Sequence, residues 1–144
     1  MVEDTSEVVR LFAREVPEIA ARSIEIKAIA RKPGYHCKLA LHSQYPRVDC
    51  IGACIGLRGF HIKNIVDALG GERIDLIRWD DSPERLIVNA LQPAIIEKVL
   101  LHPAEHRAEV VVKPDQVSLV LGRRGENRQL ASELSGWQID VEQM

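Results

Sequence analysis

Ile55-Gly56-Leu57-Arg58-Gly59 and Leu121-Gly122-Arg123-Arg124-Gly125 place one phrase, an aliphatic residue followed by Gly-x-x-Gly, twice in a chain of 144 residues. The copies stand 66 positions apart, from Gly56 to Gly122, and the match runs beyond them. Asp49 and Asp115 each lie seven residues before the first glycine, while Ile74-Asp75-Leu76 and Ile139-Asp140-Val141 close the two units. Self-similarity at this period marks a duplicated module. One isolated Gly-x-x-Gly would read as a tight turn.

Residue types set the order within each unit. Asp49 and Asp115 are acceptors expected to cap short apolar helices, Ile51 to Ile55 and Val117 to Leu121. After each glycine loop a second helix is expected, with Ile62, Ile65, Val66 and Leu69 on one face in the first copy and Leu130 with Leu134 in the second. Gly70-Gly71 and Ser135-Gly136 end these helices, and strands Arg73 to Trp79 and Trp137 to Glu142 follow. Upstream lies a hairpin: Ile24, Ile26 and Ala28 alternate, Lys32-Pro33-Gly34-Tyr35 turns the chain, and Cys37, Leu39 and Leu41 return. Ile95 to Leu101, the turn His102-Pro103-Ala104-Glu105, and Ala108, Val110 and Val112 repeat the theme. Val8, Leu11 and Phe12 predict a leading helix in the first unit, and Leu86 to Leu91 a shorter one in the second, started by Ser82-Pro83.

That order resembles the K-homology (KH) RNA-binding fold of the prokaryotic type (type II), and more closely the tandem KH pair of the N-utilisation substance A family of transcription factors. The phrases carrying the resemblance are Glu15-Val16-Pro17-Glu18-Ile19, Val48-Asp49-Cys50-Ile51-Gly52-Ala53-Cys54-Ile55-Gly56, Gly71-Glu72-Arg73-Ile74-Asp75, Asn89-Ala90-Leu91, Ser118 to Asn127 and Gly136-Trp137-Gln138-Ile139-Asp140. They cover nearly everything from about residue 8 onward. The resemblance implies an α+β chain of two KH domains, each a three-stranded sheet covered by helices: residues 1–80 with the N-terminal helix, and 81–144 with a connecting helix. Bacterial family members also carry an N-terminal polymerase-binding domain and an S1 barrel. With Met1 only a short helix before the first unit, a short form holding the two modules alone is expected. Two departures stand out. Cys50 replaces the proline usual after the capping aspartate, and Glu126 stands where glutamine is frequent, an expected carboxylate beside the phosphate path.

Glycine at both ends of a loop lets backbone approach a phosphate without a Cβ in the way, and amides at a helix N-terminus favour anions. Arg58, Arg123 and Arg124 sit inside the loops, with Lys63 and Arg128 one turn into the following helices. The resemblance implies that such a loop clamps about four nucleotides of single-stranded RNA, with bases near Ile55 and Leu121. The expected RNA-binding set is therefore Ile55, Gly56, Leu57, Arg58, Gly59 and Lys63, then Leu121, Gly122, Arg123, Arg124, Gly125, Asn127 and Arg128. The implied partner is a nascent transcript, the implied role regulation of transcription elongation, termination and antitermination, and RNA polymerase a further candidate partner. The alternatives are a protein-interaction module without RNA binding, and an RNA-processing or ribosome-associated factor of the same fold.

Composition narrows the field. Net charge is −2, so RNA contact must be local rather than a general basic attraction. Six aromatic residues form no stacking stripe, which points base selection toward hydrogen bonds and groove shape; Trp79 and Trp137 read as packing residues. No apolar run approaches the roughly 20 residues needed to cross a bilayer, and Met1-Val2-Glu3-Asp4 is acidic where a signal peptide is basic, so a cytoplasmic protein is expected. Cys37, Cys50 and Cys54 lack a Cys-x-x-Cys pair, and His102 and His106 flank a turn; no metal or other cofactor is expected. Neither a nucleophile elbow nor a nucleotide phosphate loop is present, and no enzymatic activity is expected.

Overall fold

The computed structural model describes residues 5–144; the acidic first four residues lie outside the described region. The chain divides into two units at the Trp79–Asp80 junction. In the first, α1 (Thr5–Glu15) buries Val8 and Phe12, one helical turn apart, and short α2 (Pro17–Ala20) leads into β1 (Ile24–Lys32) and β2 (His36–Ser43). Then come α3 (Cys50–Ile55), the loop, α4 (Phe60–Ala68) and β3 (Arg73–Arg78). The sheet is mixed: β1 pairs antiparallel with β2, and β2 parallel with β3. Cys37, Leu39 and Leu41 of β2 share a core with Phe12, Cys54, Ile65 and Leu69. Burial pushes the thiols of Cys37 and Cys54 up to about 12, so both behave as apolar core groups.

The second unit repeats the plan with α5 (Pro83–Ala90), β4 (Lys98–His102), β5 (Arg107–Val112), α6 (Val117–Leu121), α7 (Glu126–Ser135) and β6 (Gln138–Gln143). Its sheet has the same mixed order, β4 antiparallel to β5 and β5 parallel to β6. Ala108, Val110 and Val112 are fully buried, as their alternation predicts, and so are Val120 and Ala131. The Ser82 hydroxyl caps α5 by accepting the Arg85 N–H, and Pro83 suits the first turn because its missing donor has no partner there.

Three local expectations change. The β1 alternation breaks at a bulge between Ile26 and Ala28, so Ile24, Ile26 and then Ile29, rather than Ala28, pack on the core. Ile95 precedes β4 and is exposed; its N–H donates to the Gln116 side chain at 2.9 Å. Asp49 accepts the Ile51 N–H and caps α3, but Asp115 caps nothing. Pro114 starts a 3₁₀ turn, Pro114–Gln116, which takes Asp115 inside it and leaves Gln116 at the head of α6.

Candidate nucleic-acid interface

The two loops adopt one backbone. Gly56 and Gly122 take φ +78° and +71° with ψ near 180°, a region open essentially to glycine alone. Arg58 and Arg124 follow in the left-handed region, at φ +55° and +57°, and Gly59 and Gly125 both have φ +74°. In each loop the last glycine's N–H donates to the first glycine's carbonyl, at 3.1 Å and 3.2 Å. Sterics also demand the first glycine. A Cβ on Gly56 would meet the His61 ring at 2.5 Å, and one on Gly122 would meet Asn127 Cβ at 2.6 Å. Over the second glycines the same atom would find open space, so an incoming backbone can approach there.

Cations ring that opening. Arg58, Lys63, Arg123, Arg124 and Arg128 are exposed, and among the described residues none of them is held in a salt bridge. Most other cations near the sheets are committed: Arg31 to Glu72, Arg73 to Asp75, Arg107 to Glu105 and Glu109. A positive side chain without a partner, beside amides at a helix start, is arranged to meet an anion from outside. Ile55 and Leu57 are 38% and 85% exposed, and Leu121 is half-buried, so each loop also offers apolar surface beside its charge.

Two residues behave differently from the sequence reading. Asn127 is only 5% exposed and its amide donates to the carbonyls of Leu91, Leu119 and Val120 at 3.3, 3.1 and 3.2 Å. It clasps the end of α6 to the start of α7, and we remove it from the RNA-contacting set. Glu126 is 9% exposed and turned inward, so its carboxylate does not project into the solvent beside the loop. Phe60, outside the expected RNA-binding set, is 61% exposed at the first position of α4. The available signal was an aromatic residue directly after the second loop glycine.

Comparison with known proteins agrees with this architecture. Residues 3–79 match the NusA-like first KH domain and residues 83–144 the NusA-like second KH domain. The transcription termination/antitermination protein NusA of Halalkalibacterium halodurans is 42% identical over 92% of this chain, and that of Rickettsia conorii 42% identical over 96%. This chain spans only 35% and 28% of those two relatives. The crystal structure of APE1850 has the same fold, with a TM-score of 0.62 at 20% identity over 94% of each chain. The chain therefore belongs to the NusA-like KH family and carries both of its KH domains in tandem.

Proposed function

We propose that this chain binds single-stranded RNA at both Gly-x-x-Gly loops and, through a nascent transcript, takes part in transcription termination and antitermination. The observation that carries this reading is the repetition of one backbone, glycine by glycine, with unpaired arginines at its rim. The loop residues Gly56, Leu57, Arg58 and Gly59, with Lys63, and Gly122, Arg123, Arg124 and Gly125, with Arg128, hold the sugar-phosphate strand; Ile55 and Leu121 lie under the bases. Cationic side chains neutralise phosphates while the loop amides donate to their oxygens. The relatives' names as transcription termination/antitermination proteins support the regulatory part and a cytoplasmic location, and make RNA polymerase the protein partner to test by nuclease-resistant co-recovery.

Neutralising about three to five phosphates gives a slope of about −2 to −3.5 in log affinity against log salt for a single strand. The decisive experiment is filter binding of a randomised single-stranded RNA pool by the natural chain and by two double variants, Leu57→Asp/Arg58→Asp and Arg123→Asp/Arg124→Asp. These side chains are exposed, so folding is expected to survive while repulsion of phosphate weakens binding by at least about tenfold per loop. Unchanged affinity in both variants, or a flat salt response, overturns the reading.

A further inference from the structure

Among the described residues, Phe60 stands outside the packed core of the first unit. It opens α4, whose inward face is carried by Ile65, with Ile62 packed against the same core, yet its own ring is 61% exposed. Its ring neighbour among the described residues is His61, met edge-on with centroids 5.8 Å apart and planes at 64°. Beyond that contact most of the ring is open to solvent. Phe60 directly follows Gly59, over which space is open, and Lys63 stands three residues on, exposed on the same side of the helix. An aromatic face is thus fixed between an anion-favouring loop and a free ammonium. A nucleotide has the matching pair of groups, a flat base and a phosphate.

We infer that Phe60 is a stacking platform for one nucleobase of the strand held at the first loop, and that the second loop has none. The inference rests on the first loop holding an RNA backbone, as proposed above. In the second unit the corresponding residue, Glu126, is turned inward and the next, Asn127, is buried with its amide donating to three carbonyls, so no aromatic ring stands at that corner. Bases presented by single-stranded RNA are unstacked and stack on aromatic side chains with little regard to sequence. The first unit therefore combines a phosphate clamp with a base platform, and the second relies on charge.

The test isolates the first loop within the full chain by Arg123→Asp/Arg124→Asp and measures single-stranded RNA affinity with Phe60, Phe60→Ala, Phe60→Leu and Phe60→Trp across a salt series. Stacking predicts about tenfold weaker binding for alanine, little recovery with leucine, and full affinity with tryptophan. The salt slope stays the same in all four because no charge changes. Phe60→Trp also gains fluorescence that RNA quenches beyond the signal of Trp79 and Trp137. Equal affinity for alanine and phenylalanine, or rescue by leucine, overturns the stacking inference while leaving loop binding intact. Absence of RNA binding by the natural chain overturns the proposed function and this inference together.

Discussion

The two units meet one mechanical problem, tying the hairpin turn to the junction between the last helix and the last strand, with opposite chemistry. In the first, Glu72 sits fully buried beneath the turn; it accepts from Arg31 Nε and Nη2, both at 2.9 Å, and from the Gly34 N–H at 2.8 Å. In the second, Trp137 holds the equivalent place and stacks on His106 of the turn, with centroids 4.7 Å apart and planes at 26°. His106 reaches back to the Gly136 carbonyl at 3.2 Å, and the Gln138 N–H donates to the His106 carbonyl at 2.9 Å. A charged clasp is specific in geometry but costly to break, because removal of one partner leaves the other charge in a poorly solvated site. A ring stack yields gradually. Identical topology thus does not imply identical tolerance.

The largest expected effect breaks the clasp. Glu72→Ala removes the buried carboxylate that holds Arg31 at 2.9 Å, where Glu7 stands farther off at 3.7 Å, and should cost the first unit about 3–5 kcal/mol. Trp137→Ala removes a partly exposed stack and should cost the second unit about 1–2 kcal/mol. Amide hydrogen exchange in β2 and β5 of the full chain reports each unit separately. Equal losses would mean that the charged clasp contributes no more than the stack.

The next contrast lies on the strands. Asp75 of β3 faces His36 at 2.7 Å and Lys38 at 3.0 Å, and Lys38 is fully buried. Burial works against the carboxylate charge, yet the hydrogen bond to His36 and the charge of Lys38 hold Asp75 well below its ordinary value of 3.8. A depressed folded-state value means stability that is present in full above about pH 4 and lost as pH falls through the folded value. Asp75→Asn should cost the first unit about 3 kcal/mol at neutral pH, since Lys38 loses its carboxylate, and should flatten the acid limb of its unfolding curve. Asp140, at the same place in β6, faces Arg107 at 3.3 Å in a more open setting. Asp140→Asn should change the second unit far less. An unaltered acid limb in Asp75→Asn would show that other carboxylates govern it.

The strands, helices and loops were legible because each rests on a local pattern: alternation in β5, glycine pairs at fixed spacing, and Ser82-Pro83 at a helix start. What escaped depends on partners far along the chain. Arg31 and Glu72 lie 41 residues apart, and nothing near either predicts that they meet. Lys38 reads as a solvent-facing strand residue, yet it is fully buried opposite Asp75, a register partner 37 residues away. Asn127 illustrates the same limit within the site. Polar and adjacent to the loop, it invites assignment to RNA, while the carbonyls that claim it come from α6 and from Leu91 beyond α5. Phe60 is illegible for the converse reason: exposure, not residue type, distinguishes it from a core aromatic.

The smallest contrast concerns the two aspartates that sequence spacing equates. Asp49 accepts the Ile51 N–H at 3.2 Å and Arg78 Nη2 at 2.7 Å, and the Gly52 N–H and Arg78 together hold its carboxyl below its ordinary pKa. Asp115 lies within a 3₁₀ turn and serves no cap. Asp49→Ala should therefore lower the melting temperature of the first unit by about 3 °C, whereas Asp115→Ala should leave that of the second within about 1 °C. The effect should also reach the loop. Helix α3 is only six residues long, so fraying at Cys50 extends readily to Ile55 and loosens Gly56, whose fixed conformation presents the loop amides. RNA affinity should fall about twofold in Asp49→Ala and stay unchanged in Asp115→Ala, a difference that filter binding of both variants resolves. A matching loss in Asp115→Ala would mean that the turn before α6 opens in solution and lets Asp115 take up the role its position suggests.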